Sequence, residues 1–193
     1  MKKLDPERYL ELIKIANDSI IHGLTHGADQ LIEPSTLHPD LLKNARIFVS
    51  LKWNNQLKGP VGDTILKPAF SAVKRNAFLA AFKDNRHPPL NKYRLDKFTI
   101  QIHHLYDIEQ YTRISSQELI KKIEPEHSVS LTFGNFTATM LNLEQQEYSS
   151  DIQRFLNAIV NKAKIPAETP WEKLTATFFR TYSTDPVLIQ THF

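Results

Sequence analysis

Two segments of this chain carry residue types at a spacing that can do chemistry. Leu57-Lys58-Gly59-Pro60-Val61-Gly62 sets two glycines three apart beside a cation. At a strand end, such glycines leave backbone amides open to an anion or to a partner's backbone. The same pattern also serves as a bulge, because glycine and proline at strand ends reshape the ladder. It is neither a Walker loop nor a dinucleotide fingerprint, since the Lys-Ser/Thr pair and the required glycine spacing are missing. The second segment, Asp84-Asn85-Arg86-His87-Pro88-Pro89-Leu90, gathers a carboxylate, a fork of donors and an imidazole in a loop stiffened by two prolines. Such a loop suits function, and Arg86 has a structural alternative in pairing with Asp84 or with a helix carbonyl.

The histidines carry less. His22 and His26 are four apart, a spacing that on a helix brings two imidazoles to one face and could ligate a metal. Gly23 between them predicts a helix end, and no glutamate follows His22 as in the zinc-protease motif, so two surface histidines and no metal site are expected. On a strand, His103 and His104 point to opposite faces, so only one could serve a given site. Lys121-Lys122 reads as a solvated helix end complementing the dipole. No serine lies in a G-x-S-x-G elbow.

Composition removes whole classes. The absence of cysteine excludes disulfides, thiolate nucleophiles and Cys-ligated zinc or iron–sulfur clusters in this chain. A net charge of only +3 leaves nucleic-acid binding unsupported. The basic start Met1-Lys2-Lys3 runs into a polar-striped helix pattern rather than an apolar leader, and no stretch approaches the roughly 18 apolar residues of a membrane span. A cytoplasmic protein is therefore expected. At 193 residues the chain has room for one compact domain or two intimate subdomains.

The elements that must position these residues are legible in part. Asp5-Pro6 predicts the start of a helix with Tyr9, Leu12, Ile13, Ala16 and Ile20 on one face, ending near Gly23. Ile47 to Leu51 reads as a buried strand that turns at Asn54-Asn55 and returns through Gln56-Leu57-Lys58, stopping or bulging at Gly59-Pro60. A helix fits Pro68 to Phe82, and Phe98, Ile100 and Ile102 alternate as a half-buried strand. Ser115 and Glu118 make a capping box. Val129–Phe133 and Phe136–Met140 around Gly134-Asn135 predict a hairpin with a type II′ turn. Ser150-Asp151 opens a helix whose stripe runs from Ile152 to Ala163, and Leu174 to Tyr182 is a last strand. The result is an α+β fold on a mainly antiparallel sheet flanked by helices. Residues 1–186 form the domain, and 187–193 a tail.

Taken together, these segments resemble the AMMECR-type domain family over nearly the whole chain. The series begins with Ile20-Ile21-His22-Gly23-Leu24 and Phe48-Val49-Ser50-Leu51. Leu57 to Gly62 stands in the place of the family's L-R-G-C-I-G, and Ala80-Ala81-Phe82 with Asp84 to Leu90 in that of A-A-F-x-D-x-R-F-P-P-L. Ala138 to Leu141, Phe155-Leu156, Lys162-Ala163 and Trp171 follow in order. The departures are Pro60 for the signature cysteine, Lys58 for its arginine, His87 for a phenylalanine, Ser128 for a glycine and Asn142 for a proline. Thiol chemistry at the signature is thus impossible here, and Lys58 lacks a guanidinium's bidentate fork.

The resemblance implies a smaller subdomain packed against the sheet-bearing part, with the signature near the cleft between them. It also implies an accessory role linked to Memo-like and radical-SAM proteins, and no cofactor of its own. The leading expectation is a binding module for a partner protein, peptide or small ligand, using Lys58, Gly59, Pro60, Val61, Gly62, Asp84, Arg86 and His87. The alternative is a cysteine-independent enzyme with His87 or His127 as acid/base and Lys58 or Arg86 stabilising negative charge. Nucleic-acid binding is a third option.

Overall fold

Pro6 at its first position starts α1 (Pro6–His26), and Asp5 precedes it in extended conformation without capping through its side chain. The computed structural model describes residues 3–53, 56–148 and 151–190, the side chains of 56–58, 94 and 96 excepted. The helix does not stop at Gly23. It continues to His26 and closes at Gly27, left-handed at φ 67°, whose N–H donates to the Gly23 carbonyl at 2.9 Å. Gly23 is instead a packing residue, because a Cβ there would lie 2.4 Å from a Phe82 ring carbon and 2.9 Å from one of Phe78.

A short α2 (Pro39–Leu42) leads into β1 (Asn44–Trp53), β2 (Gln56–Gly62) and the two-residue β3 (Lys67–Pro68). α3 (Ala69–Phe82) follows, then β4 (Thr99–Thr112), α4 (Ser116–Lys122), β5 (His127–Phe133) and β6 (Phe136–Met140). α5 (Asn142–Gln145), α6 (Ile152–Ala163), β7 (Thr175–Ser183) and β8 (Val187–Leu188) complete the chain. The turn expected at Asn54-Asn55 and the cap residue Ser150 lie outside the described residues. Asp151 does cap α6, its side chain accepting from Arg154 N–H.

The described chain forms two compact units, one of residues 3–104 with 182–190 and one of Leu105–Thr181. In the larger unit β2, β1 and β4 are neighbours in that order, with β3 antiparallel on β1 and β8 antiparallel on β4. Its core joins Leu12, Ala16 and Ile20 of α1, Val73, Ala77 and Ala81 of α3, Ile47, Val49 and Leu51 of β1, and Ile100 and Ile102 of β4. The stretch read as a tail belongs to this unit. Ile189 is buried there, and Asn17 exchanges two hydrogen bonds with the Gln190 backbone.

The smaller unit orders its strands β4, β7, β5, β6, with β5 antiparallel to both neighbours. The amphipathic α6 buries Phe155, Leu156 and Ile159 in a core with Val129, Leu131, Ala176 and Phe178. Full burial of each such side chain stabilises by about 1.5–3 kcal/mol. Phe133 pairs with Phe136 across a two-residue turn, where Gly134 has φ 55° and Asn135 has no positive φ, as the type II′ turn requires. Ser115 and Glu118 form the capping box of α4. The α+β architecture with antiparallel strands is the one expected.

Candidate functional site

The segment Leu57 to Gly62 is built by a bulge. Val49 pairs with Val61 and Leu51 with Lys58, so Gly59 and Pro60 together face Ser50 alone. β2 therefore does not end at Pro60 but absorbs one extra residue and runs on to Gly62. Gly59 sits at φ 93°, a conformation that side-chain-bearing residues rarely adopt, and a Cβ there would approach the Val49 carbonyl to 3.0 Å. Gly62 is tighter, since its Cβ would fall 2.6 Å from Phe48 Cγ and 2.8 Å from the Ile47 carbonyl. Gly62→Ala is expected to cost about 1–3 kcal/mol through overpacking, because one of the opposing atoms is backbone and cannot rotate away. Urea unfolding would measure it, and an unchanged midpoint would mean that β1 and β2 separate freely here.

The loop after α3 is tied to this bulge. Asp84 Oδ2 accepts the Gly59 backbone N–H at 3.2 Å, so the carboxylate satisfies a donor that the bulge takes out of the ladder. The same carboxylate accepts from Arg86 three times: N and Nε on Oδ1 at 3.1 and 2.8 Å, and Nη2 on Oδ2 at 3.0 Å. Arg86 Nη2 also donates to the Pro60 carbonyl at 3.3 Å. The Asp84 side chain is only 3% exposed, whereas that of Arg86 is 44% exposed. Burial raises the Asp84 carboxyl's pKa, but the hydrogen bonds and charge of Arg86, with a smaller contribution from His87, outweigh it, and the net shift is downward.

Of the sequence-predicted residues, Gly59, Pro60, Asp84 and Arg86 are thus brought into one hydrogen-bonded group. Val61 and Gly62 continue the same strand, with Val61 packed on the core of the larger unit. His87 is half-buried beside them, its backbone N–H bonded to the Asp84 carbonyl at 3.2 Å. The Lys58 side chain lies outside the described residues, though its backbone pairs with Leu51. His127 belongs to the smaller unit. There its Nδ1 accepts the Glu124 N–H at 3.1 Å and its ring lies 5.4 Å from that of Phe178, so it closes a turn. Among the described residues no hydrogen bond or ion pair joins the imidazole of His87 to Arg86.

A second polar group went unseen in the sequence. Ser50, the residue opposite the bulge, has its hydroxyl 2.8 Å from His103 Nε2, and His103 Nδ1 lies 2.8 Å from the Ser183 hydroxyl. His104 turns to the other side, with Nδ1 2.9 Å from Tyr9 of α1. Burial lowers the pKa of each imidazole to about 4, so both are neutral at pH 7. Only the alternation around His103 hints at this, and nothing in the sequence marks Ser50 or Ser183 as partners lying 53 and 80 residues away from it. A separate cavity of about 250 Å3 lies in the smaller unit against Asn157, Asn161, Thr169 and Trp171. It includes none of the predicted residues.

Among the described residues no helix is long and apolar enough to cross a membrane, and no three His, Asp or Glu side chains gather as metal ligands. The AMMECR1 family model matches residues 13–184. Protein NEQ441 of Nanoarchaeum equitans is 28% identical over 162 residues, spanning 82% of this chain and 89% of that protein. A protein of Methanococcus aeolicus is 25% identical over 181 residues, 90% of this chain and 87% of its own length. The crystal structure of the uncharacterized protein PH0010 from Pyrococcus horikoshii superposes with a TM-score of 0.82, covering 94% of this chain and 93% of that one at 22% identity. With a family model that matches it from residue 13 to residue 184, this chain belongs to the AMMECR1 family.

Proposed function

We propose that this protein is a binding module that recognises a partner protein, peptide or small ligand at the surface formed by Lys58 to Gly62 and Asp84 to His87. The observation that carries this reading is the guanidinium of Arg86. It is held on one side by Asp84 and the Pro60 carbonyl, yet 44% of the side chain stays exposed. Its Nη1 makes no hydrogen bond to another described residue. A fixed guanidinium with donors to spare suits a carboxylate, phosphate or carbonyl oxygen. Because the clamp is already formed, little ordering cost remains for the ligand to offset. An accessory role beside Memo-like and radical-SAM proteins is the partner class that the family resemblance suggests.

Affinity capture from the source cell with the wild-type chain and with Arg86→Ala and Lys58→Ala tests this, read by mass spectrometry of retained proteins and small molecules. A specific companion should be lost from the folded Arg86 variant, with affinity falling about 10–100-fold for a charge-assisted contact. Equal recovery by all three chains would make the motif purely structural.

A further inference from the structure

We propose that the larger unit carries a docking surface for single-stranded nucleic acid at one end of its sheet, with Lys52, Lys92 and Lys97 contacting phosphates and Tyr93 stacking on a base. The small net charge of the chain conceals how that charge is distributed. From Lys43 to Lys97 the sequence holds 12 of the 24 lysines and arginines but only three of the 21 acids, a net +9, so the remaining residues carry −6. Two of those three acids are already engaged, Asp63 by Lys67 at 2.6 Å and Asp84 by Arg86 at 2.8 Å. Among the described residues Lys52, Lys92 and Lys97 are exposed and have no ion pair.

The fold brings these distant cations to one place. The Thr99 hydroxyl donates to the Lys52 carbonyl at 3.4 Å, and the rings of Trp53 and Phe98 lie 5.8 Å apart, so the end of β1 sits beside the start of β4. The 3-10 turn Lys92–Lys97 runs directly into that start. It is anchored by Leu95, only 1% exposed in the core of the larger unit, and capped by Asn91, whose Oδ1 accepts the Tyr93 N–H at 3.1 Å.

Tyr93 is nonetheless 79% exposed, although an aromatic ring gains by burial. The Lys92 ammonium lies 5.3 Å from its ring centroid. An open ring beside a cation offers a stacking face and a phosphate contact together, the combination by which single strands are bound. That ring decides the occupant. An acidic peptide would be served by the cations alone, and a duplex keeps its bases stacked within itself. The surface uses neither Arg86 nor the bulge at Gly59, so it stands apart from the reading above.

Fluorescence anisotropy of the full chain with labelled oligo-U and oligo-dT of about 12 nucleotides tests the proposal, with polyglutamate of equal length as a competing anion. Expected is single-strand binding that weakens about 20-fold from 50 to 200 mM salt, as three phosphate contacts imply. Whichever strand binds more tightly identifies RNA or DNA as the source. Tyr93→Ala should weaken binding about tenfold and Tyr93→Phe should not. Lys52→Gln/Lys97→Gln should flatten the salt dependence to about threefold. All three positions are exposed, so the variants keep their packing, which circular dichroism verifies. Absence of binding to either oligonucleotide at 50 mM salt would overturn the proposal. Binding that Tyr93→Ala leaves unchanged would do the same, as would polyglutamate competing as well as unlabelled oligonucleotide, which would make this a surface for an acidic protein segment.

Discussion

Acidification from pH 6.5 to 4.5 is expected to lower the thermal midpoint steeply, ahead of the range where carboxylates titrate. The cause is the pair His103 and His104, 0% and 1% exposed, each with its pKa depressed from 6.5 to about 4. In the unfolded chain both imidazoles take up protons near pH 6.5, while in the folded chain they resist until about pH 4. The unfolded state therefore binds more protons throughout this window, and stability falls as pH falls, reaching its full loss below about pH 4. Each imidazole contributes on the order of 3 kcal/mol over that range. Two such contributions rival the whole stability of an ordinary domain, about 5–15 kcal/mol. Melting curves at half-unit pH intervals would measure the slope, and a His103→Gln/His104→Gln variant should flatten it. A wild-type midpoint that stays level from pH 6.5 to 4.5 would show that the two imidazoles do not stay neutral in the fold.

Removing the Asp84 carboxylate should give the second-largest effect. Asp84→Ala strands the Gly59 N–H and three donor groups of Arg86 at once. Breaking a buried charge pair costs about 3–5 kcal/mol, and the half-exposed Arg86 screens part of that, so about 2–3 kcal/mol is expected. Because the carboxyl's pKa is lowered in the fold, its contribution is fully present above the ordinary value of 3.8 and is lost as pH drops through the folded value. Asp84→Asn should keep much of the shape and lose this acid dependence. Hydrogen exchange at the Gly59 amide gives a local readout, since its protection should collapse in the alanine variant. If Gly59 exchanges equally slowly in both proteins, Asp84 does not hold the bulge.

What could be read from the sequence was mostly local. The II′ turn at Gly134-Asn135, the capping box of Ser115 and Glu118 and the stripe of α6 are each written in neighbouring residues, and each is present. Gly23 misled because a helix-ending glycine and a packing glycine are the same letter, and only the rings of Phe78 and Phe82, more than fifty residues on, distinguish them. Val187-Leu188 has too short a pattern to announce a strand; its pairing with Thr99 and Ile100 decides it. The site shows the same division. Both segments were visible, but that Asp84 reaches across 25 residues to Gly59 was not. The Ser50–His103–Ser183 group left still less trace, because a serine inside an apolar run carries no mark of the imidazole it will meet.

The larger unit is assembled from two separated stretches of chain, and that has a consequence for synthesis. While Leu105–Thr181 is being translated, β4 has no β8 on its Thr99-Ile100 edge, and the space taken by Ile189 stays empty. At about 5–20 residues per second that interval lasts roughly 4–15 s. The last strand of the larger unit is therefore made only after the whole stretch of the smaller one. A nascent chain thus spends these seconds with the Thr99-Ile100 edge of β4 unpaired by β8, the kind of edge on which another chain can pair.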